Sequence, residues 1–137
     1  MKVELINDLT GAQIADLHAL YQSEWWTTGR TPEETQRVVQ HSDIIVAFCE
    51  NDTKRLVAFT RVLTDYVYKA LVFDVIVAES YRGTGLGKQL LDAVVQHPEL
   101  KSVRHIELYC LPELMPFYQK WGFTAELGEL KFMRRTT

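Results

Sequence analysis

Tyr81-Arg82-Gly83-Thr84-Gly85-Leu86-Gly87-Lys88 joins two strongly patterned segments. Before it stands Leu71-Val72-Phe73-Asp74-Val75-Ile76-Val77, apolar on both faces except for Asp74, the pattern of a central strand covered on both sides. After it, Leu86, Leu90, Leu91, Val94 and Val95 recur at helical spacing, which predicts a helix from about Gly85 to His97, closed by His97-Pro98. The glycines between allow positive φ and let a ligand approach the backbone closely. The first amides of the helix have no intrahelical partner and, with the helix dipole, form an anion site suited to a pyrophosphate. Arg82 and Lys88 add fixed positive charge. Without a ligand to hold, Gly83, Gly85 and Gly87 would weaken the helix start for no gain.

Three kinds of phosphate loop compete for this segment. A P-loop requires Ser or Thr after its Lys, and Gln89 follows Lys88. A dinucleotide fingerprint requires Gly-x-Gly-x-x-Gly, whereas these glycines are spaced Gly-x-Gly-x-Gly; Glu107, near where a ribose-binding acid would fall, is a decoy. That fingerprint also opens a run of βαβ units, and here three strands of antiparallel type come first and one crossover follows. The third kind, Arg-x-x-Gly-x-Gly, is an acyl-CoA pyrophosphate loop, and Arg82 to Gly87 satisfies it.

At the start of the sequence, Lys2 to Ile6 alternates as a short strand. Thr10 with Gln13, and Thr31-Pro32-Glu33-Glu34, are helix starts with capping-box spacing. The second helix is expected to end near His41. Between the two helices lies Glu24-Trp25-Trp26-Thr27-Thr28-Gly29-Arg30, a loop rich in large side chains, of whose two tryptophans one is expected to be buried and the other at a cleft. Strands are predicted over 44–49, 56–63, 70–78 and 103–110, a short helix over about 113–121, and closing strands near 123–125 and 129–135, with Lys131, Arg134 and Arg135 on the last. The order β-α-α-β-β-β-α-β-α-β-β gives an α+β fold with a mixed sheet of about seven strands. Its one crossover makes 70–78 and 103–110 parallel neighbours.

The chain of 137 residues fits one domain, 1–137, and is 47% hydrophobic. With 15 basic and 18 acidic residues it has no field to hold a nucleic-acid backbone. No run spans a bilayer and no signal peptide opens the sequence, so Cys49 and Cys110 read as reduced thiols in a cytoplasmic protein. No Cys/His cluster has zinc spacing, so no metal is expected.

Two motifs carry a resemblance to a known family. Arg82-Gly83-Thr84-Gly85-Leu86-Gly87 resembles the Arg/Gln-x-x-Gly-x-Gly/Ala signature of the GNAT (Gcn-related) N-acetyltransferases. Phe117-Tyr118-Gln119-Lys120-Trp121-Gly122-Phe123 resembles their second landmark, Tyr-x-x-x-Gly-Phe. Phe73 to Val77, Phe117 to Phe123 and Lys131-Phe132-Met133 also resemble plastid-type members that acetylate arylalkylamines and lysines.

The resemblance implies a GNAT-like sheet with helices on both faces, whose parallel pair splays apart to admit acetyl-CoA. Main-chain groups of Val75, Ile76 and Val77 would pair with the pantetheine arm. Arg82, Gly83, Thr84, Gly85, Leu86, Gly87 and Lys88 would hold the pyrophosphate. Tyr118 matches the tyrosine that faces the CoA sulfur and is the general-acid candidate. Some members place a catalytic Glu where Leu71 stands here, eleven residues before Arg82, so that base is absent. Asp74 either accepts the amine proton, directly or through water, or binds a cationic acceptor, or else is a buried acid paired with Arg61 or another internal partner; the sequence leaves these open. Leu111 and Leu114 replace the family's Asn-x-x-Ala, removing one expected CoA contact. Trp25, Trp26 and Arg30 would line the acceptor site. The implied reaction is acetyl transfer to a primary amine through a ternary complex, the acceptor being a small-molecule amine or a protein lysine. A non-catalytic CoA-binding sensor is the alternative. Neither nucleic acid nor membrane is an expected partner; a homodimer is.

Overall fold

The computed structural model describes residues 2–137. One five-stranded sheet, in the order β1-β2-β3-β4-β5, forms the middle layer. The strands are β1 (Val3–Ile6), β2 (Ile44–Glu50), β3 (Leu56–Thr64), β4 (Lys69–Val77) and β5 (His105–Glu107). All neighbours are antiparallel except β4 and β5, which are parallel and joined through helix α3 (Leu86–Val95). Helices α1 (Gly11–Gln22) and α2 (Pro32–Gln40) follow β1, and the short α4 (Met115–Gln119) follows β5.

Local chemistry starts the first two helices where the sequence places them. Thr10 and Gln13 cap α1 reciprocally, and Thr31 and Glu34 do the same for α2, with Pro32 in its first turn. Each face of the sheet has its own core. Leu17 and Tyr21 of α1 pack on Ile45, Ala47, Phe59 and Ile76. On the other face, Leu86, Leu90, Leu91 and Val94 of α3 pack with Val46, Val57, Val62 and Val72, joined by Tyr118.

Two expectations need correction. The sheet has five strands rather than about seven, because residues 123–125 and 129–135 form no strand. Leu130 and Phe132 alternate with Lys131 and Met133, but alternation makes a strand only beside an open ladder, and β5 ends at Glu107 instead of continuing to Cys110. The tail is held by side chains instead: Phe132 packs on Tyr109 at 4.8 Å between ring centroids, with Arg134 stacked on both rings. Among the described residues no helix is long and apolar enough to cross a membrane.

Candidate active site

β4 carries the irregularity that builds the site. Arg61 of β3 faces Phe73, whereas Phe59 faces Ile76, so Asp74 and Val75 together stand opposite Thr60. This is a β-bulge, and its extra residue, Asp74, takes φ of 57°, a conformation that Asp tolerates better than most side chains. The bulge resets the alternation. Asp74 bonds groups of the α1 face, where Ile76 is also packed, while Val75 and Val77 pack against the α3 face. Thr60, fully buried, donates its hydroxyl to the Phe73 carbonyl at 2.8 Å.

Asp74 is 8% exposed and both its oxygens are taken. Arg30 grips it with two nitrogens, at 2.7 Å to Oδ2 and 3.2 Å to Oδ1. Arg61 Nε donates to Oδ2 at 2.7 Å and the Tyr21 hydroxyl donates to the same oxygen at 2.9 Å. Burial pushes the Asp74 pKa up, but the two guanidiniums outweigh it and hold the carboxyl below its ordinary value. Burial first, then the Asp74 charge, pushes the Tyr21 phenol upward. The Arg30 guanidinium lies 4.5 Å from the Tyr21 ring centre, and its backbone carbonyl accepts from Gln22 Nε2 at 3.0 Å and meets His18 Nε2 at 3.1 Å, so α1 fixes the loop that carries it. The sequence raised Arg61 as a partner for Asp74; Arg30 and Tyr21 it missed in that role. The signal was a lone acid in an apolar strand, which needs buried partners wherever it points.

From Val72 onward, β4 has no ladder with β5: their register covers only Lys69, Ala70 and Leu71 against His105, Ile106 and Glu107. β4 continues to Val77 on its β3 side. The edge of Phe73 to Val77 that faces β5 is therefore without a strand partner, and the Val77 carbonyl accepts from Arg82 Nε at 3.4 Å. Phe73 and Tyr109 meet edge to face at 6.2 Å where β4 and the segment after β5 part.

β4 leads through a 3-10 turn (Glu79–Tyr81) into the glycine loop. Buried Tyr81 anchors that turn by donating its hydroxyl to Glu50 Oε2 at 2.6 Å. Glu50 also accepts from Thr53 and Arg55, and these bonds, Thr53's foremost, hold its pKa down at about 2. Gly83 and Gly85 have φ of 79° and 91°, so both need a residue without Cβ. Gly85 caps α3 and no side chain caps the helix. The first bond into it runs from the Gln89 amide to the Gly85 carbonyl, so the amides of Leu86, Gly87 and Lys88 have no intrahelical partner. This is the donor set a diphosphate requires. The two basic side chains of the loop are engaged elsewhere: Lys88 bonds Asp92 at 2.9 Å, and Arg82 bonds Glu24 of the α1–α2 loop at 2.8 Å.

Tyr118, on α4, is buried between Phe117 and Phe123, edge to face with each. Its hydroxyl makes no hydrogen bond among the described residues. Burial, with a smaller contribution from Cys110, pushes its pKa up to about 12. Trp25 and Trp26 are 74% and 41% exposed, so neither is buried as expected of one of them. Thr27 is the anchor instead, fully enclosed and donating to the Tyr21 carbonyl at 2.7 Å. Among the described residues no cluster of three or more metal-ligating side chains occurs.

Comparison with known proteins places this geometry. Residues 11–123 match the family model described as the acetyltransferase (GNAT) family. The chain is 31% identical over 104 residues to GCN5-related N-acetyltransferase 1, chloroplastic, of Arabidopsis thaliana, and 32% identical over 106 residues to serotonin N-acetyltransferase 2, chloroplastic, of Oryza sativa subsp. japonica. Each match covers 76% of this chain and 53% of the relative, so the chain spans about half the length of these two plant proteins. Among solved structures, a protein of Xanthomonas campestris pv. campestris described as belonging to the GNAT family superposes with a TM-score of 0.86 at 30% identity, covering 100% of this chain and 94% of that one.

Proposed function

The chain belongs to the GNAT acetyltransferase family, and we propose that it transfers an acetyl group from acetyl-CoA to a primary amine by direct attack in a ternary complex. One observation carries this reading: the free edge of β4 runs directly into a loop whose amides await an anion. An extended arm that ends in a diphosphate can pair with the first and seat its charge on the second.

In this reading the main chain of Val75, Ile76 and Val77 aligns the arm as a further strand, and an amide there polarises the thioester carbonyl. Arg82 to Lys88 hold the diphosphate, chiefly through backbone amides. Fixing the acyl carbon beside the acceptor turns a bimolecular attack into a local one. Tyr118, still protonated at neutral pH, donates to the departing sulfur. Asp74 holds Arg30 at the acceptor mouth beside Trp25 and Trp26. A lysine-like amine, pKa ~10.4, must attack unprotonated, so the rate is expected to climb with pH until the free amine dominates. Cys49 and Cys110 are both free thiols, which supports a reducing compartment such as the cytoplasm or a plastid.

The test is calorimetric titration with acetyl-CoA, followed by thiol release on a panel of amines. Gly85→Ala forces a Cβ onto φ of 91° and is expected to weaken acetyl-CoA binding by about tenfold or more. Gly87→Ala is expected to cost far less, because its new Cβ would meet Phe117 Cζ at 3.6 Å and Val77 Cγ2 at 3.9 Å, ordinary contact distances. Failure to bind acetyl-CoA would sink the proposal. Binding without turnover on any amine would leave the sensor reading in its place.

Glu24 adds a prediction of opposite sign. It occupies the guanidinium of Arg82 at 2.8 Å, in competition with an incoming phosphate. Glu24→Gln is expected to tighten acetyl-CoA binding by about two- to fivefold at low salt, the modest gain of an exposed ion pair, and the gain should fade as salt rises. Calorimetry at two ionic strengths checks both parts.

A further inference from the structure

The side chains around Asp74 also bear on what else the acceptor carries, an inference that rests on the transferase reading above. One carboxylate faces two guanidiniums, so the buried cluster holds an excess of positive charge at the acceptor side of the bulge. Arg61 spends only Nε on Asp74; its two terminal nitrogens have no hydrogen-bond acceptor among the described residues. Its guanidinium carbon lies over the Phe73 ring, 4.9 Å from the centroid, a contact that helps hold it in place without satisfying those donors.

Arg61 also lines an open pocket between the end of α2 and β3, with Arg37, Val38, His41 and Leu63. Arg37 makes no ion pair among the described residues. Glu33, one helical turn before it, does not reach it, and the Asp43 carboxylate accepts from the Thr64 amide at 2.9 Å instead. Two arginines with unspent donors, an imidazole and two aliphatic walls thus line one concavity. Planar forks of this kind match the oxygens of a carboxylate or phosphate, and the aliphatic walls strengthen such a contact by excluding water. A second concavity, lined by Leu5, Asn7, Val46 and the end of α3, lies away from Asp74 and carries no such set of charges.

Arg61 is common to the pocket and to the Asp74 cluster, so the pocket lies one side chain away from the bulge where the acyl group is positioned. We propose that the acceptor is an amine bearing an oxyanion, a carboxylate or a phosphate, seated on Arg37 and Arg61 while the amine reaches the thioester. A plain cationic amine would meet the positive excess of Arg30 and Arg61 with nothing to offset it.

Matched pairs test this. Thiol release from acetyl-CoA is measured with 5-hydroxytryptophan against serotonin, and with glucosamine 6-phosphate against glucosamine. The anionic member of at least one pair is expected to have a kcat/KM about tenfold above its partner. Preference in the first pair identifies a carboxylate, in the second a phosphate. In Arg37→Gln, a change on an exposed helix face, the ratio within that pair is expected to fall by about tenfold. Thiol release that favours the member without the oxyanion, or neither member, in both pairs overturns the proposal, as does a ratio unmoved in Arg37→Gln. Should no amine be acetylated, the transferase reading fails separately, and calorimetry of the same four compounds with CoA present decides the pocket. Binding of an anionic member that weakens in Arg37→Gln upholds the site; equal binding in both proteins, or none in either, removes it.

Discussion

Tyr118→Phe is expected to lower kcat about 100-fold while leaving the KM for acetyl-CoA and the melting temperature close to those of the parent. The separation follows from what the hydroxyl does in the resting protein. It bonds to nothing among the described residues, whereas the ring is enclosed by Phe117 and Phe123, so Phe keeps the packing and loses only the proton. With its pKa at about 12, the phenol stays protonated across the neutral range and serves as a donor rather than a base. Its ionisation therefore contributes no basic limb to the rate profile near neutrality. In the proposed reaction Tyr118 protonates the departing thiolate, so the defect should shrink with an acetyl thioester whose thiol is more acidic than that of CoA. Stopped-assay kinetics with the two donors check this. A full-size kcat with CoA in Tyr118→Phe would take the residue out of the chemistry, and an equal defect with both donors would assign it to positioning.

The parts of the fold that follow from local chemistry were legible in the sequence. Two capping boxes placed α1 and α2, the run apolar on both faces but for Asp74 placed the β4 strand, and the single crossover after it required a parallel neighbour. The closing strands were not legible, because a strand is a relation between two edges. The alternation in 129–135 describes one edge only, and β5 stops too early to supply the other.

The site divides in the same way. Glycines at 83 and 85 announce positive φ, and both have it. The bulge at Asp74 has no such announcement, since it depends on how β3 and β4 register across the sheet. It decides which face Asp74 serves and hence which side chains surround it. Arg30 lies 44 positions away along the chain and reaches Asp74 only because α1 folds back over β4. The tryptophans misled for a physical reason: large rings invite burial, but the small Thr27 offered a buried hydroxyl with a waiting carbonyl, and the loop closed on that bond instead.

Asp74→Asn is expected to be the most destabilising single change in the site. The carboxylate is enclosed, and both guanidiniums point at one of its oxygens from 2.7 Å. Taking away its charge leaves two cations facing each other across a neutral amide. Breaking a buried pair in this way costs about 3–5 kcal/mol. Arg30 is partly open to water and can turn away, so the loss belongs near the lower end, about 3 kcal/mol, or a fall in Tm of roughly 10 °C for a domain of this size. The sign with pH follows from the lowered pKa of Asp74 in the folded chain. Its stabilisation is complete above the unfolded value of ~3.9 and disappears as pH falls through the folded one. The parent and Asp74→Asn should therefore differ most near neutrality and converge in acid. Denaturant melts at pH 7 and below pH 4 read both effects. Adding Arg30→Met to Asp74→Asn should restore part of the stability at pH 7, because it removes one of the stranded charges. If the carboxylate served the reaction only as a proton acceptor and not as the counter-ion of these arginines, Asp74→Asn would abolish turnover with little change in the melts, and the second substitution would recover nothing.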